Sequence, residues 1–72
     1  MPLYECQTVK GTLSERQRQS LAESITSIHT QETGAPASYV HVLFKELEAG
    51  SAFTAGQVAT PAIIRGQIRA GR

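Results

Sequence analysis

A chain of 72 residues with seven Lys+Arg against six acidic groups, net +1, has no charge excess to draw it to nucleic acid. Its single cysteine excludes an internal disulfide, and no apolar run is long enough for a membrane span or a secretory signal; together these predict a cytoplasmic setting. A lone hydrophobic core is barely adequate at this length, so size predicts one domain, residues 1–72, that completes its core in copies of itself.

The chain begins Met1-Pro2-Leu3-Tyr4. Trimming of the methionine would leave Pro2 with a secondary amine at the chain terminus. Such amines titrate at roughly 7.7–8.0 when unperturbed, and burial or nearby cations lower that value by disfavouring the ammonium form. Residues 2–9 read as a strand, with Pro tolerated at its first position and Tyr, Thr and Val favouring sheet. Pro2, Tyr4, Cys6 and Thr8 then share one face, and Leu3, Glu5, Gln7 and Val9 the other. Lys10-Gly11 turns the chain.

A helix follows, capped by Thr12 with Glu15 or, in a second register, by Ser14 with Gln17. It is expected to run to residues 31–33 and to stop at Gly34, ahead of Pro36. Leu21, Ala22, Ile25, Ile28 and His29 fall at spacings of three and four and predict the core-facing stripe; Glu15, Arg16, Arg18, Gln19, Glu23 and Thr26 predict the solvent face. Residues 39–45 read as a second strand, with Val40, Val42 and Phe44 opposite in sense to Tyr39, His41, Leu43 and Lys45. A crossover of this length pairs the two strands in parallel with a right-handed connection. Residues 51–59 are small and irregular around Phe53 and Gly56, and read as a short hairpin or a site-forming loop. Residues 62–69 read as a third strand, before the tail Ala70-Gly71-Arg72.

These features resemble the tautomerase superfamily, and within it the first half of the cis-3-chloroacrylic acid dehalogenase group. Three features carry the resemblance: Pro2; the run Ala22-Glu23-Ser24-Ile25-Thr26-Ser27-Ile28-His29, which places a histidine where that group has its catalytic one; and Ile68-Arg69-Ala70-Gly71-Arg72, similar to the group's Arg-x-Gly-Arg. The resemblance implies an α+β, β-α-β protomer with a short C-terminal hairpin or strand. Its assembly would be a hexamer, or a trimer if the chain is part of a longer one. It also implies a cofactor-free isomerase with Pro2 as general acid and base. His29, Arg69 and Arg72 would bind a small carboxylate-bearing enol or unsaturated acid, and Phe53 would wall the pocket.

The residues themselves agree on one point of chemistry. Two guanidiniums three residues apart can fork onto one carboxylate, and their charge lowers the affinity of a nearby amine for its proton. The chain also departs from its relatives. The short 4-oxalocrotonate type carries arginines at positions that here are Thr12 and His41. The double-length dehalogenases take a tyrosine and a water-activating glutamate from a second half. Two rivals follow: a hydratase or dehalogenase of a 3-haloacrylate-type acid, and a non-catalytic subunit in which a retained Met1 makes the Pro2 nitrogen an amide. Without the resemblance, His29 reads as a hydrogen-bonded core histidine, and Arg69 and Arg72 as solvated or paired with Glu46 or Glu48. Cys6 and His41 read as structural. Two His, one Cys and scattered Glu give no metal-ligand spacing.

Overall fold

The computed structural model describes residues 2–68. Strand β1 (Leu3–Val9) leads through a turn to helix α1 (Glu15–Thr33), a short 3-10 helix (Ala37–Tyr39) and strand β2 (His41–Leu47). A two-stranded hairpin, β3 (Phe53–Thr54) with β4 (Gln57–Val58), precedes the last described strand, β5 (Ile63–Gln67). The sheet order is β2-β1-β5, with β1–β2 parallel and β1–β5 antiparallel. This is the β-α-β arrangement expected, with β5 closing the free edge of β1.

Local chemistry sets the helix ends. Ser14 is the N-cap: its Oγ accepts the Gln17 N–H at 3.1 Å, and the Gln17 Oε1 accepts the Ser14 N–H at 2.8 Å. The Thr12 register loses because the Thr12 N–H is committed to the Val9 carbonyl, at 3.0 Å, in the turn that leaves β1. Gly34 ends the helix in the left-handed region, φ 76°, where its N–H reaches the Thr30 carbonyl.

Three expectations need correction. Tyr39 belongs to the 3-10 turn after Pro36, where its N–H bonds the Pro36 carbonyl, so β2 begins at His41 rather than Tyr39. Ile28 is 61% exposed, although its spacing predicts a place on the core stripe. Successive helical residues point about 100° apart, so with His29 aimed at the sheet, Ile28 falls off the edge. Arg18, about three turns before His29, lies instead half-buried on the sheet-facing side. Its guanidinium donates to the Leu13 carbonyl at 3.1 Å and to Glu46 at 3.4 Å, joining the helix start to β2. The small-residue stretch resolves as a hairpin whose turn, Ala55-Gly56, has both residues at positive φ, 55° and 80°, the two-residue geometry suited to twisted strands.

The helix-facing side of the sheet carries Pro2, Cys6 and Thr8, all buried, and half-buried Tyr4, Val42 and Phe44. The other side carries exposed Leu43 and Ile63 together with a Glu5–Lys45 ion pair at 3.2 Å. Ile64 shares the helix side through its pairing with Cys6 yet is 56% exposed. Among the described residues the fully buried apolar side chains are small, while larger ones such as Leu21, Ile25 and Phe44 are half-buried and others, including Leu43, Phe53 and Ile64, face solvent in a single protomer.

Candidate active site

Pro2 is fully buried at the head of β1, and its carbonyl accepts the His41 N–H at 3.1 Å, the first rung of the parallel ladder. Its backbone is thereby tied to β2. Tyr4, two residues on, lies on the same side of the sheet, because side chains along a strand alternate. Above it, the sheet-facing side of α1 presents His29, only 3% exposed. The Tyr4 hydroxyl stands 2.8 Å from His29 Nδ1, and the rings meet edge to face with centroids 5.7 Å apart.

The opposite ring nitrogen, His29 Nε2, is buried with no hydrogen-bond partner among the described residues. Leaving a buried polar group unsatisfied costs about 1–3 kcal/mol, so Nε2 is a polar atom that still lacks a partner. From beneath, Gly66 of β5 supports the tyrosine: a Cβ there would stand 3.0 Å from Tyr4 Cε1 and 3.2 Å from Cδ1. Tyr4 is a site residue that the sequence alone does not single out. Its signal was present: it shares the strand face of Pro2, and His29 lies on the helix stripe turned to that face.

Pro2, Tyr4 and His29 thus lie on one side of the sheet. Phe53 does not join them within a protomer. Its hairpin follows the Leu47 end of β2, paired with Val9, whereas Pro2 adjoins the His41 end. Phe53 is 59% exposed and lies opposite Val58, itself 64% exposed. Arg69 and Arg72 lie outside the described residues. The strand before them runs towards the Pro2 end, since Gln67 is the partner of Leu3.

Cys6 is buried between β2 and β5, opposite Phe44 and Ile64, and burial pushes its thiol above the ordinary value of 9.0. His41 is exposed on the other side of the sheet, so the two make no nucleophile–base pair. An open groove of about 350 Å³ runs along α1 past Gln19, Ala22 and Thr26, and a smaller one of about 70 Å³ lies between Leu3, Glu5, Arg65 and Gln67 on the outer sheet face. Neither is lined by Pro2, Tyr4 or His29. No described helix is long and apolar enough to cross a membrane.

Comparison with known proteins places the chain. A curated "Probable tautomerase" of Streptococcus pneumoniae is 33% identical over 60 residues, covering 83% of this chain and 98% of that protein. A crystal structure of native Ps01740 is similar over 97% of this chain and 62% of its own, with 97% identity and a TM-score of 0.93. The structure of N1, a member of the cis-3-chloroacrylic acid dehalogenase family, is 31% identical with a TM-score of 0.80, over 86% of this chain and 45% of its own. The chain therefore spans almost all of the curated relative but under two thirds of either solved chain. The family model described as "Putative oxalocrotonate tautomerase enzyme" (Tautomerase_3) matches residues 1–70, and the chain belongs to that family.

Proposed function

We propose that the protein is a cofactor-free isomerase that moves a proton within a small carboxylate-bearing enol or unsaturated acid, with the Pro2 amine as acid and base. The observation that carries this reading is the buried His29, bonded at Nδ1 and unpartnered at Nε2, on the Pro2 side of the sheet. Once Met1 is removed, the Pro2 nitrogen becomes a secondary amine in surroundings that disfavour its charged form. A neutral amine there accepts the enol hydroxyl proton and returns it to carbon, giving the keto acid. The oxygen left negative in between takes a hydrogen bond from His29, and Arg69 with Arg72 forks onto the carboxylate. Acid–base catalysis contributes typically about 10²–10⁴-fold, so positioning by these charged groups supplies much of the remainder.

Homo-oligomerisation belongs to the same proposal. Leu43 and Ile63 on the outer sheet face, Ile64 on the inner, and Phe53 with Val58 on the hairpin are each about half exposed or more in one protomer, an apolar surface suited to copies of the chain. Phe53 would then wall a pocket of a neighbouring copy rather than its own.

The likeness to N1 favours one second reading, hydration or dehalogenation of a haloacrylate. The test is a side-by-side assay with a simple enol pyruvate and a cis-3-haloacrylate. Ketonisation that is lost in Pro2→Ala supports the isomerase. Halide release without ketonisation supports the second reading, and inertness towards both, in a protein shown to have lost Met1, supports a binding module.

A further inference from the structure

We propose that Tyr4 is a positioning residue: its hydroxyl donates to His29 Nδ1 and so holds the imidazole with its proton on Nε2. The inference rests on the isomerase reading for its consequence, but not for its geometry.

The 2.8 Å contact between Tyr4 Oη and His29 Nδ1 is compatible with two proton arrangements. In one, the phenol donates and Nδ1 accepts. In the other, Nδ1–H donates and the phenol oxygen accepts. Chemistry selects the first. A phenol, with a pKa of about 10, is a far better donor than a neutral imidazole N–H. The imidazole lone pair is in turn a far better acceptor than a phenol oxygen. Tyr4 Oη also has no second acceptor among the described residues to take its proton in the other arrangement.

A neutral imidazole carries one proton, and the bond made by one nitrogen fixes the state of the other. With Nδ1 accepting, Nε2 is a donor. It is this nitrogen that is buried and unpartnered. A buried N–H without a partner selects an oxygen with lone pairs and preferably a negative charge, the carboxylate or enolate oxygen of the proposed substrate. The reverse tautomer would offer that oxygen a lone pair and repel it. Tyr4 thus decides whether His29 attracts or repels the substrate.

Two neighbours keep the tyrosine in place. The edge-to-face packing on His29 limits its tilt, and the close seat on Gly66 limits its movement towards the sheet. Tyr4→Phe keeps both contacts and removes only the hydroxyl.

The experiment is nitrogen NMR of protein labelled with ¹⁵N-histidine at mildly alkaline pH, using His41→Asn to assign the two rings. In the parent protein His29 is expected to show an unprotonated Nδ1 and a protonated Nε2. In Tyr4→Phe the two nitrogens are expected to move towards averaged values, with kcat on an enol acid falling about tenfold, as for other partners that fix a histidine tautomer, and KM changing less. A parent spectrum with the proton on Nδ1 overturns the proposal, whether or not the variant folds. An unchanged spectrum in a folded Tyr4→Phe also overturns it. If the protein turns over no enol acid, the isomerase reading fails while the spectrum still decides the tautomer.

Discussion

Gly66 lies opposite Tyr4 in the antiparallel register of β1 and β5, so close that an added methyl would stand 3.0 Å from the tyrosine ring. The strand that leads into the arginine tail therefore also seats the tyrosine that bonds His29. Gly66→Ala forces the ring to shift, and because Tyr4 is only half-buried it has room to do so. We expect a stability loss near the lower end of the usual overpacking cost, about 1 kcal/mol, with a lower kcat from the disturbed Tyr4–His29 bond. Chemical denaturation paired with steady-state kinetics checks both; an unchanged kcat would separate the glycine from the site.

The capping box at Ser14 is a stability device remote from the chemistry. Ser14→Ala leaves the Gln17 N–H without its acceptor and is expected to cost about 1 kcal/mol. The denaturation midpoint should fall while kcat and KM stay within error. A loss of activity in the folded variant would mean that the helix start also shapes the site.

Arg69 and Arg72 are proposed to bind carboxylate together. Replacing either with Ala is expected to raise KM about 10–100-fold, the range for losing a charge-assisted hydrogen bond. Lysine should restore only part of this, since it supplies charge but not the planar fork. Equal rescue by Lys would show that charge alone matters.

Burial raises the Cys6 thiol above its ordinary value of 9.0, so the folded chain holds that proton more tightly than the unfolded one does. The resulting stability is fully present below the unfolded value and fades as pH rises past it towards the folded value. The parent protein is therefore expected to lose stability above about pH 9 more steeply than Cys6→Ala, which lacks the titrating group. Parallel pH–stability curves for the two proteins would refute this. Native Cys6 should also resist alkylation until the chain unfolds.

Much of the fold was legible because its signals are local. Ser14 with Gln17 and Gly34 mark the helix ends through side-chain and backbone chemistry acting within four residues. The parallel pairing of β1 and β2 follows from the length of the crossover. Tyr39 reads as strand in sequence because Tyr and Val favour strands wherever they stand, while the 3-10 turn is set by a backbone bond to Pro36. Ile28 reads as core in sequence because three- and four-residue spacing defines a stripe without defining its centre. The centre is fixed by where His29 lands, which is a tertiary fact. The same holds for the site. His29 could be picked out by position, but its bond to Tyr4 joins residues 25 apart and exists only once the helix lies on the sheet.

The central claim is that Pro2 acts as a free, neutral amine, and labelling tests it most directly. The purified protein would be weighed intact, treated with a halopropiolate and mapped by peptide mass spectrometry. The expected result is a mass lacking Met1 and a single adduct on Pro2, with activity lost in step with labelling. A retained Met1 with no adduct would contradict it, and the tautomerase fold would then stand in this protein without proton-transfer chemistry at Pro2.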